Sequence, residues 1–170
     1  MYRSEALGSG AVMHSWSVAA PRGVVVLQHG FAEYAERYQE QPALIPQLGA
    51  AGFDVIALDL WGHGRSPGRR GVTNVRLAVD DHLEVRRRAA LGGVPVLLVG
   101  HSLGGLVTAC SVRASPVELS GVVLLSPALS RPGAGFGAAW AGRGRIGRTV
   151  DAHSAAPPPR GRTVPHLHRR

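Results

Sequence analysis

Short valine-rich runs alternate with longer segments of mixed polarity, and this alternation restricts the possible folds more than any other feature of the chain. The strands predicted from these runs are residues 24–28, 55–59, 96–99 and 122–125. Continuous apolar strands are typical of a parallel sheet that is covered on both faces, with amphipathic crossover helices between the strands. The pattern therefore predicts an α/β fold with a doubly wound, mostly parallel sheet.

The segments between these runs predict the remaining elements. Residues 39–51 predict a helix that Pro46 should kink. Residues 60–71 are dense in glycine, arginine and proline and predict an exposed, turn-rich loop. A further helix is expected to begin at Leu103, and residues 12–18 are expected to add an antiparallel edge strand.

Residues 75–90 predict the helix between the second and third apolar strands. Its apolar residues Leu77, Leu83 and Val85 are expected on the buried face. The arginine run at residues 86–88 is expected to form a solvated outer face rather than a binding patch.

The charge of the chain is distributed unevenly. A formal net charge of +8 would ordinarily suggest a nucleic acid or an anionic membrane as a partner. Residues 131–170, however, hold eight of the 19 arginines and only one of the 11 acidic residues. This tail has no amphipathic period and no aromatic platform, so we expect no nucleic-acid partner. A non-catalytic protein whose basic tail binds anionic partners is the weaker alternative.

No apolar run approaches the roughly 20 residues that a membrane-spanning helix needs, and the first residues lack the pattern of a secretion signal. These features predict a cytoplasmic protein without a transmembrane segment. The sequence does not predict an oligomeric state.

The sequence Gly100-His101-Ser102-Leu103-Gly104 matches the G-x-S-x-G pattern. It directly follows an apolar strand and opens a helix, which is the context in which a serine is exposed at the carboxyl end of a parallel strand. The backbone there is strained and closely packed, so the flanking positions tolerate little beyond glycine. We therefore predict Ser102 as a nucleophile that attacks an acyl carbon.

Attack on an acyl carbon creates an oxyanion, which needs backbone N–H donors. One is expected from Leu103, directly after the serine. The second is expected from Phe31, in the loop that follows the first buried strand.

The remaining candidate side chains have structural interpretations. His29, His63 and His101 belong to turn loops and are predicted to be hydrogen-bonded scaffolding rather than metal ligands. Cys110, the single cysteine, is expected to be buried as a small apolar group. No metal, nucleotide or flavin motif is present in the sequence, so no cofactor is expected.

Four sequence blocks, in this order, resemble the monoacylglycerol lipase, lysophospholipase and serine aminopeptidase branch of the α/β-hydrolase fold. The blocks are residues 29–33 with Arg37 and Tyr38, residues 59–66 with Gly68, Arg70 and Gly71, residues 100–105, and residues 125–129. The resemblance covers roughly residues 10–129. It departs from the family at Tyr34, where histidine is frequent.

The resemblance implies hydrolysis of a small acyl ester or a lipid-like ester, with Ser102 as the nucleophile and the N–H groups of Phe31 and Leu103 as oxyanion donors. A peptidase, a thioesterase or a perhydrolase of the same fold stays open, because the elbow does not separate these activities. A dehalogenase is disfavoured, since its nucleophile would be an aspartate at position 102.

The acid and the histidine of a triad should both follow the serine in this fold. The candidates by residue type are Glu118, Asp151, His153, His166 and His168. Glu118 precedes the last strand and so falls at the wrong edge of the sheet, and the other four lie in a tail of low complexity. We expect none of them to complete a triad, so the acid and the base stay unassigned.

Composition, charge and resemblance all change near residue 130. Residues 131–170 are rich in glycine, proline and arginine and have no hydrophobic periodicity, which predicts a disordered or frame-shifted tail. The predicted organisation is a partial α/β-hydrolase domain over residues 1–129 and a tail over residues 130–170. Such a chain is expected to be truncated and weakly active, or a non-functional hydrolase fragment.

Overall fold

The structure is a computed structural model, and it describes residues 1–40, 43–115 and 119–129. Six strands and four helices follow one another in this part of the chain. They are β1 (Tyr2–Ala6), β2 (Val12–Trp16), β3 (Gly23–Gln28), α1 (Arg37–Glu40), α2 (Leu44–Ala50), β4 (Phe53–Leu58), α3 (Val75–Ala90), β5 (Val96–His101), α4 (Leu103–Ala114) and β6 (Gly121–Leu125).

The strands form one mixed sheet in the order β1-β2-β4-β3-β5-β6. The four strands from β4 to β6 are parallel, and they are the four apolar runs of the sequence. β2 joins β4 in the antiparallel direction, and β1 pairs antiparallel with β2. The predicted doubly wound, mostly parallel sheet is therefore confirmed.

The sheet carries a hydrophobic core on each face. On one face Val24, Val26 and Leu98 pack with residues of α3. On the other face Leu27 and Val55 pack with residues of α1 and α2. Because side chains alternate along a strand, β3 contributes to both cores and lies at the centre of the molecule.

The chain reverses its direction of winding next to β3. The connection from β3 leads to β4 on one side, and the connection through α3 then leads to β5 on the other side. The carboxyl ends of β3 and β5 therefore flank a topological switch point, where α/β sheets bind their ligands. The register places Gln28 opposite Gly100, so the loops after both strands begin side by side.

Residues 39–51 do not form the single kinked helix that was predicted. They contribute to α1 and α2, and Ala43 between them has a left-handed backbone with φ 58°. Gln41 and Pro42 lie outside the described residues. Pro46 is the third residue of α2, where its missing N–H would have had no intrahelical partner, so the first turn of α2 accommodates the proline.

The strand predicted at residues 12–18 forms over Val12–Trp16, but it is not the edge of the sheet. That place belongs to β1, which the sequence did not predict because all five of its residues are exposed.

Helix α3 has the predicted bounds, and Asn74 caps it by accepting hydrogen bonds from the N–H groups of Arg76 and Leu77. Val85 is buried as expected, whereas Leu77 is exposed. Arg86 was predicted to be solvated and is instead buried. Its guanidinium donates to the carbonyl oxygen of Ser111, in the last turn of α4, at 2.6 Å and to that of Ser115, directly after the helix, at 2.8 Å.

Two further predictions concern buried side chains. Cys110 is buried as predicted, and burial raises the pKa of its thiol. The loop over residues 60–71 is turn-rich, but it is not uniformly exposed. The loop folds back on the end of β4, and this buries Leu60, His63 and Ser66. The Ser66 hydroxyl donates to the carbonyl oxygen of Asp59, directly after β4, at 2.6 Å.

Candidate active site

The candidate nucleophile lies on a sharp turn between β5 and α4. The strand ends at His101, the helix begins at Leu103, and Ser102 between them has φ 51° and ψ −116°. A positive φ is unfavourable for a residue with a β-carbon and costs on the order of 1–3 kcal/mol, so the surrounding structure must hold it. The side chain of Ser102 consequently stands at the carboxyl edge of the sheet.

Close packing explains the glycines on both sides of Ser102. A β-carbon at Gly104 would collide with the carbonyl oxygens of Gln28 and His29, at the end of β3. A β-carbon at Gly100 would stand 2.6 Å from the Gly104 carbonyl oxygen. The elbow therefore brings α4 directly against the loop that follows β3, and this approach is possible only with glycine.

Backbone hydrogen bonds fix the elbow to the segment after β6. The Ser102 N–H donates to the Leu125 carbonyl oxygen at 2.9 Å. The Ser102 carbonyl oxygen accepts from the Ala128 N–H at 2.9 Å and from the Leu106 N–H at 3.2 Å. The block at residues 125–129 thus holds the strained turn in place.

The loop after β3 lies against the serine. A β-carbon at Gly30 would stand 3.1 Å from Ser102 Cβ and 3.1 Å from His101 Nδ1. Phe31 follows Gly30, and its exposed ring meets His63 edge-on with 5.4 Å between ring centroids. Leu103 is the first residue of α4, where a backbone N–H has no intrahelical acceptor. The two predicted oxyanion donors therefore follow Gly30 and Ser102, which lie against each other. Their role as donors stays a prediction.

A cluster of groups that hydrogen-bond to one carboxylate lies next to Ser102. It consists of Gly30, Glu33, Tyr38 and His101, and we call it the Glu33 cluster. Glu33 Oε2 accepts from the Gly30 N–H at 2.8 Å, the Tyr38 hydroxyl at 2.7 Å and His101 Nδ1–H at 2.9 Å. Burial alone would raise the pKa of Glu33, but these three hydrogen bonds outweigh it and lower the pKa to about 2.

His29 is held in one neutral form by its two partners. Its Nδ1–H donates to the Gly30 carbonyl oxygen at 2.7 Å, and its Nε2 accepts from the Leu60 N–H at 3.0 Å. Burial lowers the pKa of this imidazole. His63 Nδ1–H donates to the Trp61 carbonyl oxygen at 2.9 Å. His63 thus has one partner in its loop, and its buried Nε2 has no hydrogen-bond partner among the described residues.

A second buried carboxylate ties together the segments behind the site. Asp59 follows β4 and accepts from His14 Nε2–H at 2.9 Å, the Ala35 N–H at 2.7 Å and the Arg65 N–H at 2.8 Å. Burial would raise the pKa of Asp59, but these hydrogen bonds together lower it. Asp59 thereby joins β2, the loop after β3 and the loop after β4.

The roles of Glu33, Tyr38, Asp59 and His14 were missed in the sequence. The first three belong to the blocks that carry the family resemblance, and Asp59 directly follows an apolar strand, which is a usable signal for the carboxyl edge. His14 gave no such signal, because only pairing of β2 with β4 brings it to Asp59.

None of the candidate triad partners falls in the described part of the chain, because Glu118 and residues 151–168 lie outside it. Among residues 1–40, 43–115 and 119–129, no side chain hydrogen-bonds to Ser102 Oγ. In the same residues no three His, Cys, Asp or Glu side chains are grouped so that they could hold a metal ion. No helix among them is long and apolar enough to cross a membrane.

Solved structures with the same fold identify the class of protein. The monoacylglycerol lipase of Paleococcus ferrophilus matches with a TM-score of 0.61 and 38% sequence identity, over 71% of this chain and 44% of that one. A soluble variant of the monoglyceride lipase of Saccharomyces cerevisiae matches with a TM-score of 0.62 and 27% identity, over 74% of this chain and 44% of that one. The fold is that of the α/β-hydrolases, and the chain contains part of it.

Sequence comparison identifies the family. Residues 19–148 match the profile of the serine aminopeptidase family S33, one of the hydrolase families of this fold. The match extends past the change of composition near residue 130. A monoacylglycerol lipase of Mycolicibacterium smegmatis is 38% identical over 122 residues, which are 65% of this chain and 39% of that protein. The chain belongs to the serine aminopeptidase S33 family, and it spans less than half the length of these relatives.

Proposed function

We propose that this chain hydrolyses carboxylic esters through an acyl-enzyme on Ser102. The observation that carries the proposal is the strained elbow at Ser102, packed against Gly30 at the switch point of the sheet. A serine held in this way is exposed to a substrate at the edge where α/β enzymes act.

The reaction would proceed in two halves. Ser102 Oγ attacks the acyl carbon, its proton passes to a base, and the carbonyl oxygen becomes an oxyanion. Collapse of this intermediate breaks the ester bond, the protonated base gives its proton to the leaving oxygen so that the alcohol is released, and the acyl group stays on Ser102. Water then hydrolyses the acyl-enzyme by the same route and releases the acid. The base and its orienting acid are not assigned to any residue of this chain.

The N–H groups of Phe31 and Leu103 are the proposed oxyanion donors. They belong to the residues directly after Gly30 and Ser102, whose contact joins the two loops. A donor of this kind contributes about 10²–10³ in rate in serine hydrolases, since it stabilises charge that develops only in the transition state.

The proposed substrate is a lipid-like ester such as a monoacylglycerol or a lysophospholipid. Its support is the identity to monoacylglycerol lipases, which exceeds that expected from a shared fold alone. We further propose a cytoplasmic location. The change of composition near residue 130 supports a division into a hydrolase unit over residues 1–129 and a tail over residues 130–170, and the family match, which runs to residue 148, enters that tail.

A non-catalytic hydrolase fragment is the second candidate. It is favoured by the finding that no side chain of the described segments hydrogen-bonds to Ser102 Oγ, since a serine without a base is a poor nucleophile.

Ester hydrolysis by the purified full chain distinguishes the two candidates. The substrates are p-nitrophenyl butyrate and a monoacylglycerol. The variants are Ser102→Ala and, as the control, Ser17→Ala, which changes an exposed serine directly after β2. We expect turnover that falls to background in Ser102→Ala and is unchanged in Ser17→Ala. A folded wild-type chain without turnover, or turnover that survives in Ser102→Ala, would contradict the proposed function.

A further inference from the structure

The loop after β3 is closed by Glu33 in two ways. Glu33 Oε2 accepts from the Gly30 N–H at 2.8 Å, and the Glu33 N–H donates to the Gly30 carbonyl oxygen at 3.3 Å. Residues 30–33 therefore form a tight turn whose two central residues are Phe31 and Ala32, the latter with φ 61°. Any change in this turn changes the direction of the Phe31 N–H.

The same carboxylate reaches β5, the strand that directly precedes the nucleophile. Its Oε2 accepts from His101 Nδ1–H, and His101 directly precedes Ser102. The Tyr38 hydroxyl, from α1, is the third donor to this oxygen. One oxygen atom thus joins the turn at residues 30–33, the end of β5 and helix α1.

The charge of Glu33 suits this task. An ionised carboxylate only accepts hydrogen bonds, so all three partners must donate, and bonds to an ionised acceptor are stronger than bonds between neutral groups. The Glu33 side chain is 16% exposed, and Arg37 Nε lies 3.8 Å from its Oε1. Because an ionised carboxylate only accepts, His101 Nδ1 must carry the proton of this hydrogen bond, and the same nitrogen lies 3.2 Å from the Tyr38 hydroxyl oxygen.

We propose that Glu33 is a positioning residue for the reaction: its carboxylate fixes the turn at residues 30–33 against Ser102 and thereby directs the Phe31 N–H toward the oxyanion. Glu33 acts through Gly30 and His101 and does not itself touch the substrate. This inference rests on the proposed function of Ser102, but the geometry of the turn can be tested separately from it.

Single-turnover labelling of Ser102 with a fluorophosphonate tests the effect on reactivity. The variants are Glu33→Ala, which removes the acceptor, and Glu33→Gln, which keeps an acceptor oxygen but loses the charge. The matched control is Glu36→Gln, three residues further on, whose carboxylate binds Arg65 and Tyr2 and does not touch Gly30 or His101.

We expect labelling to slow about a hundredfold in Glu33→Ala and about tenfold in Glu33→Gln, because a displaced oxyanion donor costs about that much. Glu36→Gln should label within about twofold of the wild type. With an ester substrate, kcat should fall while KM changes little, because the donor acts in the transition state. Unchanged labelling in a folded Glu33→Ala chain would overturn the proposal.

Nitrogen-15 NMR of the His101 ring and amide exchange at Gly30 give a readout that does not need reactivity. We expect Glu33→Ala to move the ring proton of His101 from Nδ1 to Nε2 and to speed amide exchange at Gly30, with no change in Glu36→Gln. If wild-type Ser102 does not label, the proposed function fails, and these two signals still decide the positioning role. If both signals stay unchanged in Glu33→Ala, the positioning role is wrong whatever the reactivity of Ser102.

Discussion

His14 and Asp59 form a hydrogen-bonded pair of 2.9 Å in which both side chains are buried. The pair connects the antiparallel strand β2 to the carboxyl end of β4. Asp59 also holds the loops that begin after β3 and β4, through the N–H groups of Ala35 and Arg65. The pair therefore supports both loops that border the candidate active site.

Removal of His14 should be costly, because it leaves the Asp59 carboxylate buried without its side-chain partner. We expect His14→Ala to lower the free energy of unfolding by about 3 kcal/mol, measured by urea denaturation at pH 7. The control is Ser15→Ala, at the next position of β2, which should change stability by less than about 0.5 kcal/mol. Equal stabilities of the two variants would show that the pair contributes little.

The adjacent arginines Arg86 and Arg87 offer a second matched comparison. Arg86 is buried and donates to the last carbonyl oxygens of α4, whereas Arg87 is exposed. We expect Arg86→Met to destabilise the chain by about 2–3 kcal/mol, because the carbonyl groups lose a charged donor. Arg87→Met should be neutral within about 0.5 kcal/mol. The reverse order in thermal unfolding would contradict the observed orientation of α3.

His82 predicts a dependence of stability on pH. Its ring is fully buried, and neither ring nitrogen has a hydrogen-bond partner among the described residues. Burial first, and then the nearby charge of Arg86, lower the pKa of His82 to about 3 from an ordinary value of 6.5. Between these pH values the unfolded chain binds a proton that the folded chain excludes, so stability is complete above pH 6.5 and is lost as the pH falls.

The expected loss from His82 between pH 7 and pH 5 is about 2 kcal/mol, at 1.36 kcal/mol for each unit of pKa. His29, whose pKa is also lowered by burial, contributes in the same direction. The measurement is therefore the difference in pH dependence between the wild type and His82→Leu over this range. We expect a shallower dependence in His82→Leu, and identical slopes would show that His82 takes up its proton without unfolding.

Most of the parallel sheet was predictable, because its strands are short apolar runs; β3 is buried at every position, whereas β6, at the edge of the sheet, is largely exposed. The elbow was also predictable. Gly100 and Gly104 stand where the backbones approach too closely for a β-carbon, so this requirement is visible in the sequence as the G-x-S-x-G pattern. These features follow from local sequence and, for the central strand β3, from burial on both faces of the sheet.

The features that were missed depend on contacts between distant segments. β1 has no hydrophobic pattern and exists only through its pairing with β2. Arg86 lies in a run of three arginines that is typical of a solvated helix face. Its burial follows from the unpaired carbonyl groups at the end of α4, which the sequence of α3 does not show. The break at Ala43 depends on a left-handed backbone in a residue that ordinarily favours helix.

The central claim is that Ser102 is a nucleophile, and the most direct test is the position of a covalent adduct. The purified chain is treated with a fluorophosphonate, digested, and mapped by mass spectrometry, with Ser102→Ala as the comparison. The account predicts one phosphonylated peptide, with the adduct on Ser102, and no adduct in the variant. A folded chain that stays unmodified, or an adduct on any other residue, would contradict it.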